Sequence, residues 1–316
     1  MSTYLVTGAS GYIGSQMTMK LLDAGEEVWI QVRNPSKIKR KVRERVHVIC
    51  GDIVDSHMWK QVNCHVNYII HCAAPTESAY MMTHPVETAE TIVQGTKNVL
   101  EYCKKCPGCK LIYLSSMEVY GNIACKNGER VTEEQLGSLD ICAPRNCYPI
   151  AKRMAEHLCI AYFREYGVDT VVARLSQTFG RGVLATDKRV FVQFANAVRE
   201  KKDIVLHTLG NSVGNYCDID DTLEAIGVLL QKGEAGEIYN VVNEDNTMSI
   251  RHMAEMVADK IAGGKIRVTF DIPNANVYGY AADTGLRMSG DKMRRLGWSA
   301  KVSLEEMYRR LLEGME

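Results

Sequence analysis

Two residues four apart, Tyr148 and Lys152 in the stretch Tyr148-Pro149-Ile150-Ala151-Lys152, have the chemistry to move a proton between oxygen atoms. On a helix, positions four apart share one face, so phenol and ammonium project together. A free phenol ionises near pH 10, and making it a base at pH 7 costs about 3 pKa units, or ~4 kcal/mol. A neighbouring ammonium favours the phenolate and offsets part of that cost. Upstream, the strand-like run Leu111–Ser115 leads into Ser115-Ser116-Met117-Glu118-Val119-Tyr120-Gly121. A serine hydroxyl at such a strand end can hold a substrate oxygen beside the phenol. Tyr-x-x-x-Lys also arises by chance on solvated helices, so its weight depends on what surrounds it.

What surrounds it begins at the N-terminus. Tyr4-Leu5-Val6-Thr7 is a short apolar run, followed by Gly8-Ala9-Ser10-Gly11-Tyr12-Ile13-Gly14 and then helical apolar spacing at Ile13, Met17, Leu21 and Leu22 that stops at Gly25. Strand, glycine turn and helix together make a phosphate cradle. The glycines permit the tight turn and the close approach of a pyrophosphate, and the helix start offers N–H groups and a positive dipole end. The spacing is G-x-x-G-x-x-G, not G-x-G-x-x-G, and its context carries the reading. Gly8, Ser10, Gly11, Tyr12, Ile13 and Gly14 are therefore expected to hold a dinucleotide.

The end of the second strand, Val28–Val32, bears on which dinucleotide. An acidic residue there normally holds the adenosine ribose of NAD, whereas arginine suits a 2′-phosphate. The chain reads Gln31-Val32-Arg33-Asn34-Pro35-Ser36-Lys37, without a carboxylate. Arg33 favours NADP over NAD, with a solvated basic face through Lys39, Arg40, Lys41 and Arg43 as the alternative. Asp52, after the third strand, is placed to meet an adenine amino group or to cap a turn.

Further strand-like runs at Val46–Cys50, Tyr68–His71 and Thr170–Leu175 alternate with helical patterns around Asp55–Val62, Pro85–Lys104 and Ile150–Tyr166. Such alternation predicts an α/β fold with a doubly wound parallel sheet, its ligand at the C-terminal strand ends. Residues 1–176 are expected to form the dinucleotide-binding domain, with 214–243 returning to it, and 177–316 a smaller substrate-binding region. The 316 residues carry no formal net charge, with 46% hydrophobic and 24% charged residues. That balance argues against a nucleic-acid or membrane-surface partner. Eleven cysteines without a signal-like N-terminus read as reduced thiols of a cytoplasmic protein. No apolar run approaches the ~20 residues that span a bilayer. Cys103, Cys106 and Cys109 have metal-like spacing without a fourth ligand, and the eight histidines are scattered, so no metal is expected.

Taken together, TGASGYIG (Thr7–Gly14), GDI (Gly51–Ile53), HCAA (His71–Ala74), SSMEVYG (Ser115–Gly121) and YPIAK (Tyr148–Lys152) resemble the extended short-chain dehydrogenase/reductases. The likeness is closest to nucleotide-sugar epimerases, 4,6-dehydratases and UDP-glucuronate decarboxylases, and continues through Ala173–Gly180, Tyr239–Asn243 and Lys292–Trp298. It implies a Rossmann-type sheet, NAD(P) as cofactor with Ile53, Ala73 and Ala74 lining it, and a catalytic set of Ser116, Tyr148 and Lys152. Tyr148 would take a proton from a sugar hydroxyl, typically at C4, as hydride passes to the nicotinamide. Lys152 would lower the tyrosine pKa and hold the nicotinamide ribose. Glu118 would act as a base at C5 or C3, as in dehydratases and decarboxylases. Met117 replaces the aspartate of dTDP-glucose dehydratases, leaving no obvious acid to expel a 6-hydroxyl.

The stretches Ala74–Pro85 and Asp187–Phe191 look most like the decarboxylase branch. They imply a substrate loop with Thr76 and Ser78 and a nucleotide contact at Arg189, with Gln177, Thr178 and Arg287 also facing substrate. One position departs from the family: the arginine that commonly grips the diphosphate is Gly214. Either Arg189, Arg287 or Arg181 replaces it, or the substrate is not an ordinary nucleotide diphosphate sugar. The resemblance further implies a nucleotide-sugar substrate and a homodimer through helices near Val86–Lys104 and Ile150–Tyr166. An NADPH-dependent reductase and a non-catalytic dinucleotide sensor are the competing functions.

Overall fold

Short apolar runs buried on both faces are what a parallel sheet requires, and the computed structural model, which describes residues 1–123, 128–273 and 283–315, has one at its centre. Its strands are β1 (Thr3–Thr7), β2 (Glu27–Val32), β3 (His47–Cys50), β4 (Tyr68–His71), β5 (Lys110–Ser116), β6 (Asp169–Leu175) and a seventh, Ile238–Val241. Their spatial order is seventh, β6, β5, β4, β1, β2, β3. The pairs β1–β2, β2–β3, β1–β4, β4–β5 and β5–β6 are all parallel. The order therefore reverses beside β1, where Thr7 and His71 are register partners at the strand ends. Ligands of such sheets bind in the crevice outside that switch point.

Three helices matter for the site. α1 (Tyr12–Asp23) starts at Gly11, and the chain leaves it through Gly25 at φ +77°. α2 (Pro85–Lys104) opens with proline at its first position, where no N–H is needed. α3 (Cys147–Tyr166) ends on Gly167 in the left-handed conformation, the usual helix stop. The helical pattern after β3 is a 3₁₀ segment, Ser56–Gln61, capped by the Asp55 carboxylate on the His57 N–H.

Two compact units are present. The first comprises Met1–Gly121, Leu136–Leu175 and Leu223–Asn240, and the second Asn122–Gln135, Ser176–Thr222 and Val241–Glu316. The division corrects the expectation that 214–243 returns to the first region as a block. Residues 214–222 belong to the second unit because Val213–Asp218 is the central strand of its three-stranded sheet, between Asn243–Ser249 and Gln177–Phe179. Within that unit Phe179 stacks on Phe191 at 4.2 Å and meets Tyr216 and Tyr308 edge-on. A parallel pair, Val268–Phe270 with Ile204–Leu206, forms a small second sheet. Among the described residues no helix is long and apolar enough to cross a membrane.

Asn98, buried on α2, donates its amide to the carbonyls of Ile53 (3.0 Å) and Val54 (2.8 Å), which holds the loop after β3 against the helix. Removing the side chain strands two polar acceptors, at about 1–3 kcal/mol. Asn98→Ala should lower the unfolding free energy by that amount, seen as a lower urea midpoint at an unchanged denaturant slope. An unchanged midpoint would mean the loop is held by other contacts.

Candidate active site

The glycine turn packs too tightly for side chains. Gly8 adopts φ +63°, and a Cβ there would stand 2.8 Å from the backbone of Ala73. A Cβ at Gly14 would stand 2.5 Å from the Gly8 carbonyl, and one at Gly11 3.2 Å from it. The Gly11 N–H donates to that carbonyl at 2.9 Å, closing the turn. No side chain caps α1 at Gly11, so its N-terminal dipole end is directed at the turn itself. Ser10 lies in the same turn, and Tyr12 and Ile13 open the helix that follows it. The cradle fits a pyrophosphate in a way that a turn crowded by side chains would not.

Gln31 is a member that motif spacing did not single out. Buried on β2, it accepts the Gly8 N–H at 3.1 Å and donates to the Gly51 carbonyl at 2.8 Å, tying the cradle to the end of β3. Arg33 follows on the same strand end, its guanidinium exposed and 4.0 Å from Asp52. Asp52 accepts the Val54 N–H at 3.2 Å, the turn role expected as one of its two alternatives. On the other side of β1, the Ala73 N–H donates to the Thr7 hydroxyl at 3.3 Å, and that hydroxyl pairs with His71 Nδ1 at 2.7 Å. His71 Nε2 pairs with Thr96 of α2 at 3.1 Å. Ala73 and Ala74 are thereby held at the switch point, and Ile53 is buried in the core below.

The residues expected to transfer a proton come together where the end of β5 meets the start of α3. Tyr148 and Lys152 are both buried, on one face of α3. Burial pushes the Tyr148 phenol well above its ordinary range and the charge of Glu118 adds to the shift, while the Ser116 hydroxyl and Arg145 act the other way. Lys152, expected to be the cation that lowers the phenol, is not among these groups. Its ammonium donates to the Leu114 carbonyl at 2.7 Å and stands 5.8 Å from the Tyr148 ring centroid. Burial pulls this ammonium down to about 8 against the opposing pull of Glu156, Cys72 and Cys159.

Arg145 also escaped the motif search. It sits in the turn Pro144–Asn146 just before α3, and its Nη2 lies 3.0 Å from the Glu118 carboxylate and 3.5 Å from the Ser78 hydroxyl. Its guanidinium carbon stands 5.9 Å from the Tyr148 ring centroid. Arg145 thus joins three expected site residues, Glu118, Ser78 and Tyr148, from three different elements. A signal was available in its position, three residues before the tyrosine, but nothing local said which carboxylate it would meet. Thr76 lies on the exposed approach to the short helix Ser78–Thr83.

The remaining expected residues lie in the second unit. Gln177 and Thr178 are on its sheet, with the Thr178 hydroxyl donating to the Ser176 carbonyl. Arg189 is engaged by Asp187 at 2.6 Å and Arg181 by Asp220 at 2.7 Å. Arg287 is half-buried. At Gly214 a Cβ would fall 2.2 Å from the Tyr216 hydroxyl, so the tyrosine ring fills the space that a side chain at 214 would need.

Against known proteins, residues 4–242 match the model of the NAD dependent epimerase/dehydratase family. The UDP-glucuronic acid decarboxylase 1 of Xenopus tropicalis is 28% identical over 306 residues, 96% of this chain and 69% of that protein. Among solved structures, the UDP-glucose 4-epimerase of Thermotoga maritima superposes with a TM-score of 0.85 at 23% identity, covering 99% of this chain and 98% of that one. A dTDP-glucose 4,6-dehydratase of Streptomyces venezuelae, solved with NAD, gives 0.81 at 24% identity, covering 99% and 96%. At these identities the structures show that the fold is shared.

His71 yields a pH test. Burial, helped by the charge of Lys152, pulls its imidazole from 6.5 to about 3. Above pH 6.5 neither folded nor unfolded chain binds this proton. Below it the unfolded chain takes the proton first, so stability falls with pH until the folded imidazole titrates near about 3. Between pH 6 and 4, chemical denaturation should show a loss approaching ~1.4 kcal/mol per pH unit from this group alone. His71→Asn should flatten the curve by that slope; identical slopes in the two proteins would refute the assignment.

Proposed function

Because the chain belongs to the NAD-dependent epimerase/dehydratase family, we propose that it binds a nicotinamide dinucleotide on the Gly8–Gly14 cradle and transiently oxidises a carbon of a nucleotide sugar. The observation that carries this is the grouping of Ser116, Tyr148 and Lys152 in the unit that also holds the cradle. When bound, the dinucleotide supplies the hydride acceptor. Tyr148 takes the proton from the sugar hydroxyl that is being oxidised, and Ser116 holds the same oxygen. Lys152, the buried ammonium one helical turn on from Tyr148, would hold the ribose next to the nicotinamide.

Oxidation at C4 acidifies the neighbouring carbons, and Glu118 is a carboxylate whose charge reaches the phenol. It acts from an ion pair with Arg145, which orients its oxygens. The decarboxylase branch is favoured by the Xenopus tropicalis relative and by the stretches at Ala74–Pro85 and Asp187–Phe191. For the diphosphate, Arg287 is the candidate cation, because Arg181 and Arg189 are occupied by Asp220 and Asp187. A competing NADPH-dependent reductase is favoured by one observation, the exposed Arg33 at the end of β2.

One assay separates the two. Purified protein should carry oxidised cofactor and convert UDP-glucuronate, or another nucleotide sugar of a UDP, CDP, GDP and dTDP panel, without added NADPH. Stoichiometric NADPH consumption with a ketone would reject the recycling scheme. Tyr148→Phe should lower kcat by about 10²–10⁴-fold while leaving dinucleotide affinity intact. Residual turnover within a few-fold of wild type would remove Tyr148 from the mechanism.

The dinucleotide preference has its own test. A charge-assisted contact from Arg33 to a 2′-phosphate contributes roughly 1.5–3 kcal/mol. By titration calorimetry, wild type should bind NADP more tightly than NAD. Arg33→Asp should reverse the order by about tenfold or more. An unaltered ratio would assign Arg33 to the solvated basic face.

A further inference from the structure

Glu156 lies one helical turn beyond Lys152 on the same face of α3, and it is itself buried. Its carboxylate accepts the Ser115 hydroxyl at 2.5 Å. It also accepts Arg174 Nε at 3.0 and 3.2 Å and Nη2 at 2.8 Å. Arg174 of β6 is 2% exposed, so the ion pair is fully enclosed. A buried pair of this kind is weak evidence for stability, since apolar side chains of similar volume serve as well or better. Its retention next to a buried lysine calls for another account.

The groups around Lys152 can be named from each packed element. Its own helix presents Tyr148, Glu156 and Cys159. The end of β4 presents His71 and Cys72, of which the imidazole is neutral at physiological pH. From β5 come the Leu114 carbonyl at 2.7 Å and the Tyr113 ring, whose centroid is 4.7 Å from the ammonium. Glu156 is the one carboxylate in this set, and Ser115 and Arg174 fix where its charge stands.

We propose that Glu156 is a positioning residue of the site: its anchored carboxylate keeps Lys152 as an ammonium in a pocket that would otherwise strip the proton. The inference rests on reading Lys152 as the cofactor lysine, but its measurement needs neither substrate nor turnover. Lysine-selective NMR of the whole protein, with Lys152→Met identifying the resonance, reads the Lys152 midpoint directly. Wild type should titrate near about 8. Glu156→Gln leaves Arg174 uncompensated and can fail to fold, so the deciding variant is Glu156→Gln with Arg174→Met, which removes both charges together. There the midpoint should fall by about one unit or more, a tenfold smaller ratio of ammonium to amine at fixed pH. Arg174→Met alone breaks the same ion pair but keeps the carboxylate, and its midpoint should stay at or above that of wild type. A folded double variant with an unmoved midpoint, or an equal fall in Arg174→Met, would overturn the proposal. A protein that shows the predicted shifts yet turns over no nucleotide sugar would instead count against the proposed activity.

Discussion

Three successive turns of one helix grip three successive residues of one strand, and the site depends on that grip. Tyr148 meets Ser116, Lys152 donates to the Leu114 carbonyl, and Glu156 accepts the Ser115 hydroxyl. A helix rises about 1.5 Å per residue, so side chains four apart step along it by about 6 Å. Three successive strand residues span only about 7 Å, and they answer with a side chain, a carbonyl and the side chain between. These contacts convert sheet–helix packing into a defined placement of hydroxyl, phenol and ammonium. Catalytic orientation is sensitive to shifts of about an ångström, and burial of all three helix residues limits such shifts.

The same grip has an electrostatic cost. Lys152 loses its hydration and gains the Leu114 carbonyl, and burial outweighs the opposing charge of Glu156, so it stands below an ordinary lysine. Around the phenol the balance is different: burial and Glu118 disfavour the phenolate, and Ser116 and Arg145 favour it. Two ion pairs, Glu156–Arg174 in the interior and Glu118–Arg145 at the half-exposed rim, flank the tyrosine–lysine face. The interior pair is poorly screened and works at full strength, whereas the rim pair is tempered by solvent. Acid–base behaviour in this site therefore belongs to a set of charges on four elements and not to a tyrosine and a lysine alone.

Much of this was legible in the residues before any coordinates. The strand–glycine–helix start, the limits of Tyr68–His71 and Pro85–Lys104, and the shared face of Tyr148 and Lys152 all follow from local periodicity. Gly214 stood out as a departure, though only the packing reveals that the Tyr216 ring fills its space. Other features left no local trace. Gln31 looked like part of a strand, yet its amide joins the glycine turn to Gly51, 20 residues on. Arg145 stands three residues before the tyrosine, and nothing near it in the chain names the carboxylate it meets 27 residues back.

By itself the sequence determined the α/β sheet, the strand–glycine–helix start and the shared helix face of Tyr148 and Lys152, because each is encoded within a few turns or a single strand length. Tertiary structure alone decided which charges face the phenol, that Arg174 and Glu156 meet in the interior, and that residues 214–222 join the second unit while 223–240 join the first. Those outcomes depend on side chains meeting across 18 to 41 residues, as Arg174 with Glu156 and Ser115 with Glu156 do. Such meetings are set by the register of β5 against β6 and the seating of α3 on the sheet, and no window of sequence contains both partners.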